Sequence, residues 1–177
     1  MTLFNILMYF FLSNLSFIDV CHSTVTVPKM LIDTWSEEKL ISFDACVTQM
    51  FFLHLFACTE IFLLTVMAYD RYVAICKPLQ YTAIMSQCVC DTLVKLAWVG
   101  TCIHSSAQIL LALKLPFCGS NAIDHYFCDI FPLLKIACTY ITGVLVTAFS
   151  GMVALVTFAV LFVSYGIILF ILNNVKD

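Results

Sequence analysis

The chain has 177 residues, 63% of them hydrophobic and 11% charged, with a mean hydropathy of +1.04. Water-soluble domains run near half apolar and a quarter charged, so this composition excludes one and points to a lipid-embedded fold. With 8 Lys and Arg against 11 Asp and Glu, a net charge of −3 and no basic tract, nucleic acid drops out as a partner and the lipid bilayer takes its place.

A helix that crosses the hydrocarbon needs about 20 mostly apolar residues. The first predicted span covers about 8–32. The opening "MTLFNILMYFFLSNLSFIDV" lacks the positive leader and small-residue cleavage site of a secretory signal, so it reads as part of that span. Asp19 and His22 interrupt it, and Pro28 in "VPKM" is expected to end or kink the helix. The second span, about 46–70, carries His54 and Glu60 and leads into "MAYDRYVAIC". The third, about 92–113, holds Lys95, Trp98 and His104. The fourth, about 141–172, has no charged residue, and its length predicts tilt or projection beyond the bilayer. The predicted fold is all-α, a multi-pass transmembrane helix bundle forming one domain over 1–177.

The connections before the second span and after the third fall on one side of the membrane, and the one between those two spans falls on the other. Arg71, Lys77 and Lys176 on one side balance Lys39, Lys114 and Lys135 on the other, so positive charge does not orient the chain. Cysteines do better: Cys46, Cys118, Cys128 and Cys138 share one face, which is assigned to the oxidising, extracellular side. Four cysteines allow three connectivities. Cys21, Cys58, Cys76, Cys88, Cys90 and Cys102 read as small buried hydrophobes, and "CVC" lacks zinc-finger spacing.

Asp70 and Arg71 then lie at the cytoplasmic end of the second span, as an ionisable switch or as an arginine snorkelling to the interface. Asp19 and Glu60 are mid-span carboxylates that must pair, bind a cation or stay protonated. No nucleophile with an activating base and no phosphate loop are present, so no enzyme is expected. A copper or zinc site from His54, His104 and Cys58 is conceivable but ranks low because no fixed ligand spacing supports it, and neither metal nor cofactor is expected.

In order, "MYFFLSNLSFIDVC", "VPKML", "MAYDRYVAICKPLQYTAIM", "LPFCG", "HYFCD" and "SYGIIL" extend over nearly the whole chain. Together they resemble the olfactory receptors, a branch of the rhodopsin-like G-protein-coupled receptors. The resemblance implies a partial seven-helix fold carrying the second to fifth helices, in the plasma membrane. The family's motifs for the first, sixth and seventh helices do not occur, so the chain is expected to be a fragment. Two departures stand out: Leu7 replaces the usual proline, and "ACTYITG" lacks the usual Asp-Thr pair, which would rotate the last helix.

What the resemblance implies can be placed residue by residue. Within the Asp70–Arg71–Tyr72 motif, Arg71 is a latch held at rest by Asp70. Lys77 and Pro78 begin the loop offered to a heterotrimeric G protein of the olfactory stimulatory type, and Tyr165 is the tyrosine that moves toward the arginine. Asp19 and Glu60 would line a pocket for an allosteric sodium ion. Cys46–Cys128 and Cys118–Cys138 are the implied disulfides. The "NLS" sequon at Asn14 lies within a span and is expected to stay unglycosylated.

A small volatile odorant would bind in the outer half of the bundle. There His54 lies roughly 12 Å in from Cys46, with Ala57 and Cys58 on the same face. His104 and Ser105, with Phe149, Ser150 and Val153, would complete a mostly apolar cavity carrying a few polar groups. The competing reading is a non-signalling truncated receptor that at most associates with other membrane proteins. A transporter or channel lined by Asp19, Glu60 and His54 ranks third.

Overall fold

The computed structural model describes residues 2–35, 42–114 and 140–174. The connection carrying Cys118, Cys128 and Cys138 lies outside the described residues. Within them the regular structure is helical, as expected: α1 (Thr2–Trp35), α2 (Phe43–Cys76), a 3-10 turn (Pro78–Gln80), α3 (Tyr81–Ile84), α4 (Gln87–Leu113) and α5 (Tyr140–Asn174). Among the described residues 4 helices are long and apolar enough to cross a membrane, and these are α1, α2, α4 and α5.

Each of these runs beyond its predicted span. Hydropathy marks only the portion that suits lipid, whereas the hydrogen-bond ladder continues until a cap or a proline stops it. Ser42 caps α2 by accepting the Ala45 N–H at 3.3 Å, and Ser86 caps α4 by accepting that of Val89 at 3.4 Å. α2 stops at Cys76 because Pro78 follows. The residue before a proline is driven out of the helical region, and Lys77 accordingly has φ −136° and ψ 55°.

Pro28 does not end the first helix; α1 continues to Trp35. Proline is tolerated inside membrane helices where neighbouring groups satisfy the disturbed backbone. Here the Gln49 side-chain amide of α2 donates to the Val25 carbonyl at 3.3 Å, beside the Thr24 carbonyl that Pro28 cannot serve.

α2 is the hub, packing against α1, α4 and α5, while α4 also meets α5. The main core lies toward the end where α2 terminates. There Leu7, Phe11 and Ile18 of α1 meet Leu63 and Val73 of α2, Tyr81 and Met85 below, and Cys90, Val94 and Ala97 of α4. A smaller cluster, Met50 with Ile109 and Ala112, joins α2 to α4 nearer the other end. α5 is the least covered of the long helices, with Leu155, Phe162 and Phe170 outward.

Hydroxyl side chains are mostly bonded within their own helix. Ser23, Thr26, Thr34, Thr65, Thr92 and Ser106 each donate to the carbonyl four residues back. Thr59 and Thr101 each have such a carbonyl in reach and also meet across α2 and α4, at 2.8 Å in a fully buried position; with one O–H apiece, one hydroxyl donates to the other, which keeps its intrahelical bond. Because the hydroxyl left on Thr101 can turn back to the Ala97 carbonyl, Thr59→Val should destabilise the bundle by only about 0.6 kcal/mol, the usual size of an interhelical bond in lipid. Denaturation in mixed micelles, cycled with Thr101→Val, measures it; a coupling near zero would mean the two helices do not rely on that bond.

Candidate functional site

Two regions of α2 carry the expected site residues, and Cys46 and Asp70 mark its two ends. At the end where the helix terminates, Pro78 starts the 3-10 turn, closed by the Gln80 N–H on the Lys77 carbonyl at 3.0 Å. The one-turn α3 follows and carries Tyr81 back beneath α2. Its phenol donates to Asp70 Oδ1 at 2.8 Å, with Tyr81 6% and Asp70 2% exposed. Arg71 Nη2 donates to the Met8 sulfur of α1 while its charge acts on Asp70. Burial, and then the hydrogen bond to Asp70 and its charge, push the Tyr81 phenol above its ordinary value. A raised acid stays protonated up to that higher value, so the donor is intact at neutral pH and is lost only as pH rises through it.

Tyr81 is the member of this group that sequence reasoning missed. The expected resting contact ran from Asp70 to Arg71; in the structure the buried carboxylate has a neutral phenol as hydrogen-bond donor, and the arginine reaches across to α1. Tyr72 is half-buried, with its ring 6.4 Å from that of Tyr69. Lys77 and Pro78 are exposed, and Leu79 beside them is 97% exposed. Tyr165 is 54% exposed on α5.

At mid-span Glu60 is half-buried and meets His22 of α1, Oε2 to Nδ1 at 3.9 Å, whereas Asp19 is exposed. Asn14 is helical, and its amide donates to the Phe10 carbonyl at 2.9 Å, within a candidate span. Cys46 is disulfide-bonded, while Cys21, Cys58, Cys76, Cys88, Cys90 and Cys102 are free. The expected partner of Cys46, and the Cys118–Cys138 pair, lie outside the described residues.

Nearer the Cys46 end, α2, α4 and α5 bring most of the expected ligand residues together. The His54 and His104 rings stack with centroids 5.4 Å apart and planes 19° apart, and Phe149 lies 5.1 Å beyond His104. The ligand atoms of His54, Cys58 and His104 all lie within 4.8 Å of one another. Ser105 is fully buried, Ala57, Ser150 and Val153 are half-buried, and Phe149 is exposed. Gln108 was missed by sequence reasoning: it is fully buried one turn after His104 and donates to Ser150 Oγ at 3.0 Å. His104 Nε2, Ser105 Oγ and Gln108 Oε1 are buried with no hydrogen-bond partner. Three unmet polar atoms among apolar side chains suit a small molecule with one or two hydrogen-bonding groups.

The family model described as "Olfactory receptor" matches residues 2–176. Among curated proteins, human olfactory receptor 4E1 is 66% identical over 92% of this chain and 52% of its own length. Mouse olfactory receptor 4E2 is 60% identical over 94% of this chain and 55% of its own length. Human olfactory receptor 4S2 is 57% identical over 94% and 54% respectively. The chain thus spans about half the length of the curated relatives it matches.

Proposed function

This chain belongs to the olfactory receptor family, and from that premise we propose that it binds a small volatile odorant and communicates with a heterotrimeric G protein across the plasma membrane. The observation that carries the reading is the set of unmet polar atoms on His104, Ser105 and Gln108, buried in the apolar contact of α4 with α2 and α5. An odorant with a hydroxyl or carbonyl group would satisfy them. Differential affinity for two helix arrangements would then shift the population at the other end of α2, where Asp70, Arg71 and Tyr81 lie.

On the inner face, Lys77, Pro78 and Leu79 form the exposed surface offered to the G protein, with Arg71 as the half-buried element that arrangement frees. Cys46–Cys128, with Cys118–Cys138, would fix the extracellular cap. Glu60, with Asp19, is the place for an allosteric sodium ion, where His22 would compete as the partner of Glu60.

Odorant-panel screening of cells expressing the protein, read out as cAMP, tests this. Gln108→Leu should weaken the half-maximal odorant response by up to about tenfold, the value of one hydrogen bond to ligand. Arg71→Ala should lower the maximal response about tenfold through a lost charge-assisted contact. A response untouched by Arg71→Ala would remove the latch assignment, and one untouched by Gln108→Leu would move the ligand elsewhere.

A further inference from the structure

We propose that the ligand's polar group is a neutral hydroxyl, as in an alcohol or phenol, donating its proton to the side-chain carbonyl of Gln108; this rests on the odorant reading above. Gln108 is fully buried on α4. Its amide N–H is given to Ser150 Oγ of α5 at 3.0 Å, which leaves Oε1 buried with no hydrogen-bond partner. A carbonyl oxygen only accepts, so nothing but a donor can complete it. An amide carbonyl stripped of water with no replacement bond is costly, which makes this atom the most demanding feature of the contact. Ser105 and His104 precede Gln108 by about one helical turn, so all three project from one face of α4. Ser105 Oγ and His104 Nε2 are likewise buried without partners. Each can supply a hydrogen, the serine through its O–H and the histidine as its Nε2–H tautomer.

Matching donors to acceptors then selects the functional group. A hydroxyl brings one hydrogen and two lone pairs: the hydrogen meets Gln108 Oε1, and the lone pairs accept from Ser105 and His104. A ketone, aldehyde, ester or ether brings lone pairs alone and leaves Oε1 bare. Water entering the same place is replaced in kind by a hydroxyl, but not by a group that cannot donate. Charge narrows the choice further. No Asp, Glu, Lys or Arg stands among the ligand residues assigned above, so an ammonium or a carboxylate would be desolvated there without a counter-ion. Phe149 against His104, with half-buried Ala57 and Val153, gives the carbon skeleton apolar surroundings.

The test is binding to the whole chain in lipid nanodiscs, followed as ligand-induced thermal stabilisation by circular dichroism. The probes are octanol, cyclohexanol and phenethyl alcohol, each set beside its methyl ether and the matching aldehyde or ketone. Each alcohol that binds should do so about tenfold more tightly than its counterparts, and Gln108→Leu should erase that ratio. Partitioning of a probe into lipid is the same for both proteins, so the change in ratio isolates the contact. Spectra without probe report whether the helices persist, and Gln108→Met, which keeps the unbranched side chain, replaces the leucine variant if that one misfolds. Ethers and carbonyl compounds binding as tightly as the alcohols would overturn the proposal and leave the odorant site standing. So would an alcohol preference that survives the loss of Gln108. Carbonyl compounds favoured through Gln108 would overturn it by showing that the amide offers its N–H to the ligand, and no binding by any probe would remove the odorant reading as well.

Discussion

Replacing Phe11 with alanine should destabilise the bundle by about 3–5 kcal/mol, the usual cost of emptying a large aromatic site in a packed core. Phe11 is fully buried on α1, in the cluster where α1, α2, α3 and α4 meet. Between helices in lipid the stabilisation comes from close packing more than from water exclusion, because lipid tails are as apolar as the residue removed. The loss should therefore follow the cavity, with Phe11→Leu much milder than Phe11→Ala. Reversible unfolding in mixed detergent micelles measures both. Equal effects of the two substitutions would show that α1 repacks freely and that this cluster does not fix its position.

Changing Tyr81 to phenylalanine removes one hydroxyl but leaves the Asp70 carboxylate, 2% exposed, without that donor. A hydrogen bond to a charged group contributes about 1.5–3 kcal/mol, and leaving its buried partner short of a donor costs at least as much. The resting arrangement should lose that amount and basal cAMP should rise about tenfold or more. Asp70→Asn makes the carboxylate neutral and should blunt the effect. The double variant is expected to show a coupling energy of about 2 kcal/mol, in the range for residues in direct contact. Unchanged basal signalling, with the Tyr81→Phe and Asp70→Asn effects simply additive, would show that the phenol does not restrain this end of α2.

The long helices were legible because a run of apolar side chains is a local property. Their ends were less so: Ser42 and Ser86 act over three residues, too short a range to stand out in a hydropathy reading. Pro28 misled for a tertiary reason, since the amide that supports α1 beside it comes from Gln49 on another helix. At the site, the one-turn spacing of His54 and Cys58 was visible in the sequence, but their meeting with His104 depends on the register in which α2 and α4 pack. Tyr81 was hidden because its approach to Asp70 is set by the turn after Pro78. Asp19 shows the complementary gap: spacing places it mid-span, but the sequence does not reveal that it lies on an exposed face of α1.

Because the serine and threonine hydroxyls named above already have acceptors in their own helices, these segments carry much of their polar chemistry as self-contained units. Each can leave the insertion machinery and enter the bilayer before its neighbours arrive. Among the described residues, the side chains that must wait for a second element include Gln49 for a carbonyl of α1, Gln108 for Ser150, Asp70 for the phenol that follows it in synthesis, and Arg71 and Glu60 for Met8 and His22 of α1. Assembly would thus be checked at such points, and a nascent chain stalled at any of them would offer quality control a polar group without its partner.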